Sequence, residues 1–134
     1  MSMIRVSKLA LFGLVIGAMA GTSSNARAQG MKVDENLAKR GKMLFVTRSC
    51  DGCHGIGRGR RAGPDLLGVT DRRSKAWLER WLKNTEEMIA SDSLAMMMVA
   101  EHKGYKMTNP RLGNEEIEAL LNFLADESRK KMKS

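Results

Sequence analysis

The chain has 134 residues, with 23 Lys and Arg against 15 Asp and Glu, for a net charge of +8. That length accommodates one ordinary domain and excludes two. A surplus of this sign points to acidic protein partners or anionic surfaces, whereas nucleic acid is set aside because no basic patch carries interleaved aromatic residues.

Residues 1–28 read as a secretory leader. Arg5 and Lys8 give a basic start, Leu9 to Ala20 an apolar run, and Ala26-Arg27-Ala28 a small-x-small cleavage site. The apolar run falls short of the ~20 residues a spanning helix needs, which favours a cleaved leader over a retained anchor. No other stretch is apolar enough to span. Cleavage after Ala28 leaves residues 29–134 as a single exported, periplasmic domain. The leader holds three of the basic residues and none of the acids, so the mature net charge falls to +5. Only two Trp, one Tyr and two Phe remain to fill a core. A domain of this size with so little aromatic bulk calls for a staple or a bound cofactor.

Asp34 to Ser49 forms the first predicted helix, with Asp34 as its cap and Val33 as a staple. Leu37, Gly41, Leu44 and Phe45 share one face. Gly41 weakens a helix interior, and its place on the apolar stripe predicts close approach by another backbone. Gly55 to Val69 is Gly-rich, contains a Pro and reads as an extended loop. Ser74 caps "KAWLERWLKN", which carries Trp77 and Trp81. Thr85 caps a short "EEMIA" turn with acids where the helix dipole favours them. Ser91 to Lys103 reads as helix and stops at Gly104. Tyr105 to Gly113 is a loop, and Asn114 caps "EEIEALLNFLADESRKK", whose stripe is Ile117, Leu120, Leu121 and Leu124. No segment alternates long enough to make a strand. The predicted fold class is all-α, and its long central loop makes sense if it wraps a cofactor.

"CDGCH", Cys50 to His54, contains both cysteines of the chain. A Cys50–Cys53 disulfide suits an oxidising compartment but closes a tiny loop and contributes little stability. A thioredoxin-like pair wants a βαβ context, which the pattern lacks. A structural zinc needs four ligands, and only His102 is left to join these three. Covalent haem attachment is the fourth reading. Both thiols would be consumed as thioethers, and the adjacent His54 would present an imidazole nitrogen to the iron. The leader supplies the compartment this chemistry requires, and a porphyrin supplies the missing core.

The sequence resembles the class I c-type cytochromes from about Val33 to Phe123. The features run in order: "GKMLF" (Gly41 to Phe45), "CDGCH", "GPDL" (Gly63 to Leu66), a Trp-bearing helix, "KMTNPRL" (Lys106 to Leu112) and "EEIEALLNFL" (Glu115 to Leu124). The resemblance implies the cytochrome c fold, whose first and last helices cross near a small residue and an aromatic. Gly41, Phe45 and Phe123 match that crossing. It also implies one covalent haem c on Cys50 and Cys53, with His54 and Met107 as axial ligands.

Met107 lies in a loop between helices, where a side chain is easily aimed, and it matches the family's axial Met. Thr108 stands where the family often has Pro, and Pro110 follows two residues later. Met96, Met97 and Met98 are consecutive and point different ways around a helix, so some of them pack or face solvent. His102 is the other candidate for the second ligand, set behind Met107 because a histidine at a helix C-terminus reads first as a solvated residue. By the same resemblance, the Pro64 carbonyl accepts the other N–H of His54. Trp77, Arg72 and Arg73 are candidates to meet the haem propionates, and Trp81 to pack on the porphyrin. Arg58, Arg60 and Arg61 are placed to steer acidic partners to an exposed haem edge.

The implied function is that of a monomeric electron carrier between redox proteins, with no substrate turned over. Its competitors are a dedicated haem subunit of a dehydrogenase or reductase, and a sensor or peroxidase-like protein with an open sixth position.

Overall fold

The computed structural model describes residues 30–134; the leader assigned to residues 1–28 lies outside them. Helix α1 (Glu35–Thr47) begins where Asp34 places it, since the Asp34 carboxylate accepts from the N–H groups of Asn36 and Leu37. Short helical turns follow at α2 (Cys50–Cys53) and α3 (Val69–Arg72). They precede α4 (Lys75–Lys83), α5 (Thr85–Ser91), α6 (Ser93–Glu101) and the long α7 (Asn114–Lys133). The described residues contain no strand, as predicted, and no helix among them is long and apolar enough to cross a membrane.

Helices α1 and α7 form the frame. Ala38, Gly41 and Phe45 are the buried residues of α1, so Leu37 and Leu44 are only half-buried at the edges of the predicted stripe. Gly41 sits where a Cβ would lie 2.0 Å from the carbonyl oxygen of Ala119 on α7. Phe45 and Phe123 pack beside it with ring centroids 5.4 Å apart. The predicted stripe of α7 is buried in full, and Ala119, Asn122, Phe123, Ala125 and Ser128 widen it. Each buried Leu or Ile contributes about 1.5–3 kcal/mol of transfer free energy. The two buried polar side chains of α7 are satisfied: Asn122 Oδ1 accepts from the Asp34 N–H at 2.8 Å, and Ser128 Oγ from the Gly68 N–H at 2.9 Å.

Ser74 caps α4 as predicted, accepting from the Trp77 N–H. Two other caps move by one residue. Asn84 caps α5 in place of Thr85, whose hydroxyl is buried and donates back to the Trp81 carbonyl at 2.8 Å. The helix expected from Ser91 instead starts at Ser93, because the extended backbone of Asp92 separates α5 from α6 and its side chain caps α6. Gly113 precedes α7, and its N–H is taken by the Glu116 carboxylate. Asn114 is therefore the first helical residue, and its side chain accepts from Lys83. Near Gly104, φ of +55° at Lys103 and +83° at Gly104 ends the helical stretch, and the Gly104 N–H reaches back to the Val99 carbonyl.

Candidate functional site

A cavity of about 560 Å³ opens between the frame and the central loops. Cys50, Cys53, His54, Trp77, Trp81, His102 and Met107 line it, and Leu120, Leu121 and Leu124 of α7 close it from below. Met107 thus meets the CDGCH segment across more than fifty residues of sequence.

Ser49, with φ of +56°, turns the chain from α1 into α2. That single turn carries both thiols, and both cysteines are free. Burial pushes the Cys50 thiol up from its ordinary pKa, the reverse of what an activated redox thiolate requires. No cluster of three or more His, Cys, Asp or Glu able to hold a metal ion occurs among the described residues.

His54 Nδ1 lies 2.9 Å from the Pro64 carbonyl oxygen. A carbonyl only accepts, so Nδ1 carries the proton and Nε2 keeps a free lone pair. Burial lowers the His54 pKa, the Pro64 bond raises it less, and the neighbouring His102 lowers it again. The imidazole is therefore neutral near pH 7, the form a metal accepts. Gly63 presses on the same ring: a Cβ there would lie 2.4 Å from His54 Cε1.

Met107 is half-buried in the α6–α7 loop, and the Trp81 indole N–H donates to its Sδ at 3.3 Å. Trp81 stacks on Trp77 at 5.4 Å and 9°. The Trp77 indole N–H is committed to Asp92 Oδ2 at 3.3 Å, and Arg73 lies over the Trp77 ring. Arg72 turns inward to the carbonyls of Leu67 and Asp65. Arg58, Arg60 and Arg61 are exposed as expected. Two of them also tie their loop to helices, Arg60 to the Glu101 carbonyl of α6 and Arg61 to the Asp51 carbonyl of α2. Met96 and Met97 are exposed, while Met98 lines the cavity.

Three features escaped the sequence reading. The Asp65 carboxylate accepts from the N–H groups of Gly57, Arg58, Gly59 and Leu67 at 2.7–2.9 Å and so folds the Gly-rich loop. Burial works against that carboxylate, but the four amides together hold its pKa below the ordinary value. An Asp inside a Gly-rich stretch was the available signal. The bond from Trp81 to Met107 joins residues with no shared periodicity and left no local sign. The third correction concerns His102. It caps the C-terminus of α6, but it is not a solvated residue: its Nε2 is buried without a hydrogen-bond partner.

A family model described as Cytochrome c matches residues 38–127. A cytochrome c from Rhodothermus marinus is 31% identical with a TM-score of 0.69, covering 74% of this chain and 83% of its own. The cytochrome c domain of the pp3183 protein from Pseudomonas putida is 39% identical with a TM-score of 0.62, covering 69% and 92%. Cytochrome c oxidase subunit 2 of Alkalihalophilus pseudofirmus is 27% identical over 126 residues. That match covers 86% of this chain, which spans about a third, 34%, of the length of that relative.

Proposed function

The chain belongs to the cytochrome c family, and on that premise we propose that it is an exported electron carrier whose haem is held by Cys50, Cys53, His54 and Met107. Haem c is the family's covalent cofactor, and electron transfer through it is the family's chemistry. The residues present fit the group. The cavity is walled by leucines and indoles, two free thiols stand on one helical turn, and His54 offers an unpaired Nε2 beside them.

When bound, the haem supplies an iron that changes oxidation state by one electron. The chain's own residues do the rest. Cys50 and Cys53 would hold the haem covalently as thioethers. His54, oriented by the Pro64 carbonyl and the Gly63 backbone, would ligate its iron through Nε2. Met107 would supply the second ligand, and a thioether there favours Fe(II) and raises the potential. The Trp81 indole N–H fixes the Met107 sulfur, and leucines of α7 wall the site. An iron held by both residues would leave no position for a substrate. The single observation that carries this reading is that Met107 shares a cavity with a His54 whose Nε2 is free.

The basic, apolar and small-residue order of residues 1–28 supports export to the periplasm. The exposed Arg58, Arg60 and Arg61 support docking of acidic redox partners. A second reading rests on the oxidase-subunit relative: the chain serves as the haem subunit of a larger complex, and native mass in the source extract separates the two.

The test is spectroscopic. A pyridine haemochrome of the exported protein should show haem c with two thioethers. The Fe(III) protein should show the Met–iron charge-transfer band in the red. Absence of that band, together with ready CO binding by the reduced form, would overturn the carrier reading.

A further inference from the structure

Asp92 is the single extended residue between α5 and α6, with φ of −108° and ψ of 120°. Its two carboxylate oxygens have different partners. Oδ1 accepts from the Ala95 N–H at 3.0 Å and caps α6. Oδ2 accepts from the Trp77 indole N–H at 3.3 Å and lies 3.4 Å from Arg80 Nη2. A serine hydroxyl would satisfy the cap, so capping does not account for the second oxygen. The Asp92 side chain is only 18% exposed, whereas that of Arg80 is 62% exposed. An ion pair with so open a partner adds little, and the half-buried indole is the firmer contact.

Trp77 in turn stacks on Trp81, with centroids 5.4 Å apart and planes 9° from parallel, so a shift of one ring displaces the other. The Trp81 indole N–H donates to Met107 Sδ at 3.3 Å. Thioether sulfur has two lone pairs, so one can accept from the indole while the other is offered to an iron. Asp92 therefore reaches Met107 by two routes. Along the chain, it fixes the start of α6, the helix that leads into the Met107 loop. Across the fold, it holds the indole pair whose far member grips the sulfur.

We propose that Asp92 is a positioning residue for Met107: by holding the Trp77 indole it fixes Trp81, and through Trp81 the direction of the Met107 sulfur. The inference rests on the proposed ligation by His54 and Met107.

Four exported holoproteins test it: wild type, Asp92→Ser, Trp77→Phe and the double variant. Asp92→Ser keeps a cap for α6 and loses the reach to Trp77. Trp77→Phe keeps the carboxylate, its charge and an aromatic ring beside Trp81, and loses the N–H. A pyridine haemochrome gives the haem content of each. Met107 is read by its red charge-transfer band in Fe(III) and by its ε-methyl proton resonance in Fe(II). Absence of both signals from wild type would overturn the axial assignment itself, and this inference with it. With both present, each single variant should weaken the band and shift the ε-methyl resonance. The double variant should match the single ones, because both substitutions cut the same link. A purely structural Asp92 would lower Tm by circular dichroism and leave both Met107 signals at their wild-type positions, which overturns the proposal. Shifts that add in the double variant overturn it too, since they trace the Trp77→Phe effect to ring size. If Asp92→Ser does not accumulate, Trp77→Phe is read alone by voltammetry. With cap and charge intact, its potential should fall by no more than that of Trp81→Phe, and an unchanged potential refutes the link.

Discussion

Replacing Gly41 with Ala tests the helix crossing that holds the site together. The new Cβ would lie 2.0 Å from the Ala119 carbonyl oxygen and 2.7 Å from Phe123 Cβ. The first of these is backbone, so no rotamer relieves it. Helices α1 and α7 must separate by more than an ångström, and the Phe45–Phe123 contact opens with them. Overpacking of this kind costs about 1–3 kcal/mol and at times more. Alanine simultaneously gains about 1 kcal/mol of helix propensity over glycine. With the clash at the upper end, the net loss is roughly 2 kcal/mol. For a domain of this size that lowers Tm by about 10 °C. Thermal unfolding of the holoprotein, followed by far-UV circular dichroism, measures it. Gly52→Ala is the contrast, because no atom lies within 4 Å of a Cβ there, and its Tm should hold or rise. Were Gly41→Ala as stable as the parent or more so, propensity would have won and the close-approach argument would be wrong.

Gly63→Ala places a Cβ 2.4 Å from His54 Cε1; it should tilt the imidazole off the Pro64 carbonyl, reduce the yield of holoprotein and alter its Fe(III) spectrum, and an unchanged spectrum would count against Gly63 as a support. Asp65 has a depressed folded pKa, so its contribution is present above the unfolded value near 3.9 and is lost as pH falls through the folded value. Asp65→Asn should accordingly be less stable than wild type near neutrality, with the gap closing below about pH 4, as acid titration of both proteins would show. Trp81→Phe removes the N–H donor to Met107 Sδ. A sulfur relieved of that bond donates better to Fe(III), so the potential should fall. The drop should not exceed about 40 mV, the one-electron equivalent of a net hydrogen bond of about 1 kcal/mol. A rise on voltammetry would reverse the assigned role.

What the sequence disclosed was whatever depends on local period and on fixed spacing. Gly41 was legible because a glycine on an apolar helical stripe has few reasons to be there. The α7 stripe was legible because it repeats at the helical period and carries acids first and bases last. The caps of α5 and α7 each slipped by one residue because neighbouring residues compete for the position. Thr85 lost to Asn84 once its hydroxyl found the Trp81 carbonyl. Contacts between distant segments left no such trace. Trp81 and Met107 lie 26 residues apart, and neither belongs to a motif that names the other. His102 was misread for the same reason. A histidine at a helix terminus is usually solvated, and only the tertiary fold shows its Nε2 buried.

The site is held unevenly, and that bears on how its two sides open. The His54 side is tied into the frame. Asp65 gathers four amides around it, the Gly68 N–H bonds to Ser128 of α7, and α3 and α4 both pack on α7. The Met107 side reaches the frame less directly. Helices α5 and α6 pack on each other, and α5 packs on α4. Met107 packs at the edge of the core and accepts one hydrogen bond, from Trp81, whose stacking partner Trp77 is tied in turn to the Asp92 cap between α5 and α6. Segments with fewer buried contacts open at lower free energy than the core they adjoin. Opening on the Met107 side leaves Cys50, Cys53 and His54 where they are, whereas opening on the His54 side would require the α7 contacts to break as well. Opening of the cavity therefore begins on the Met107 side.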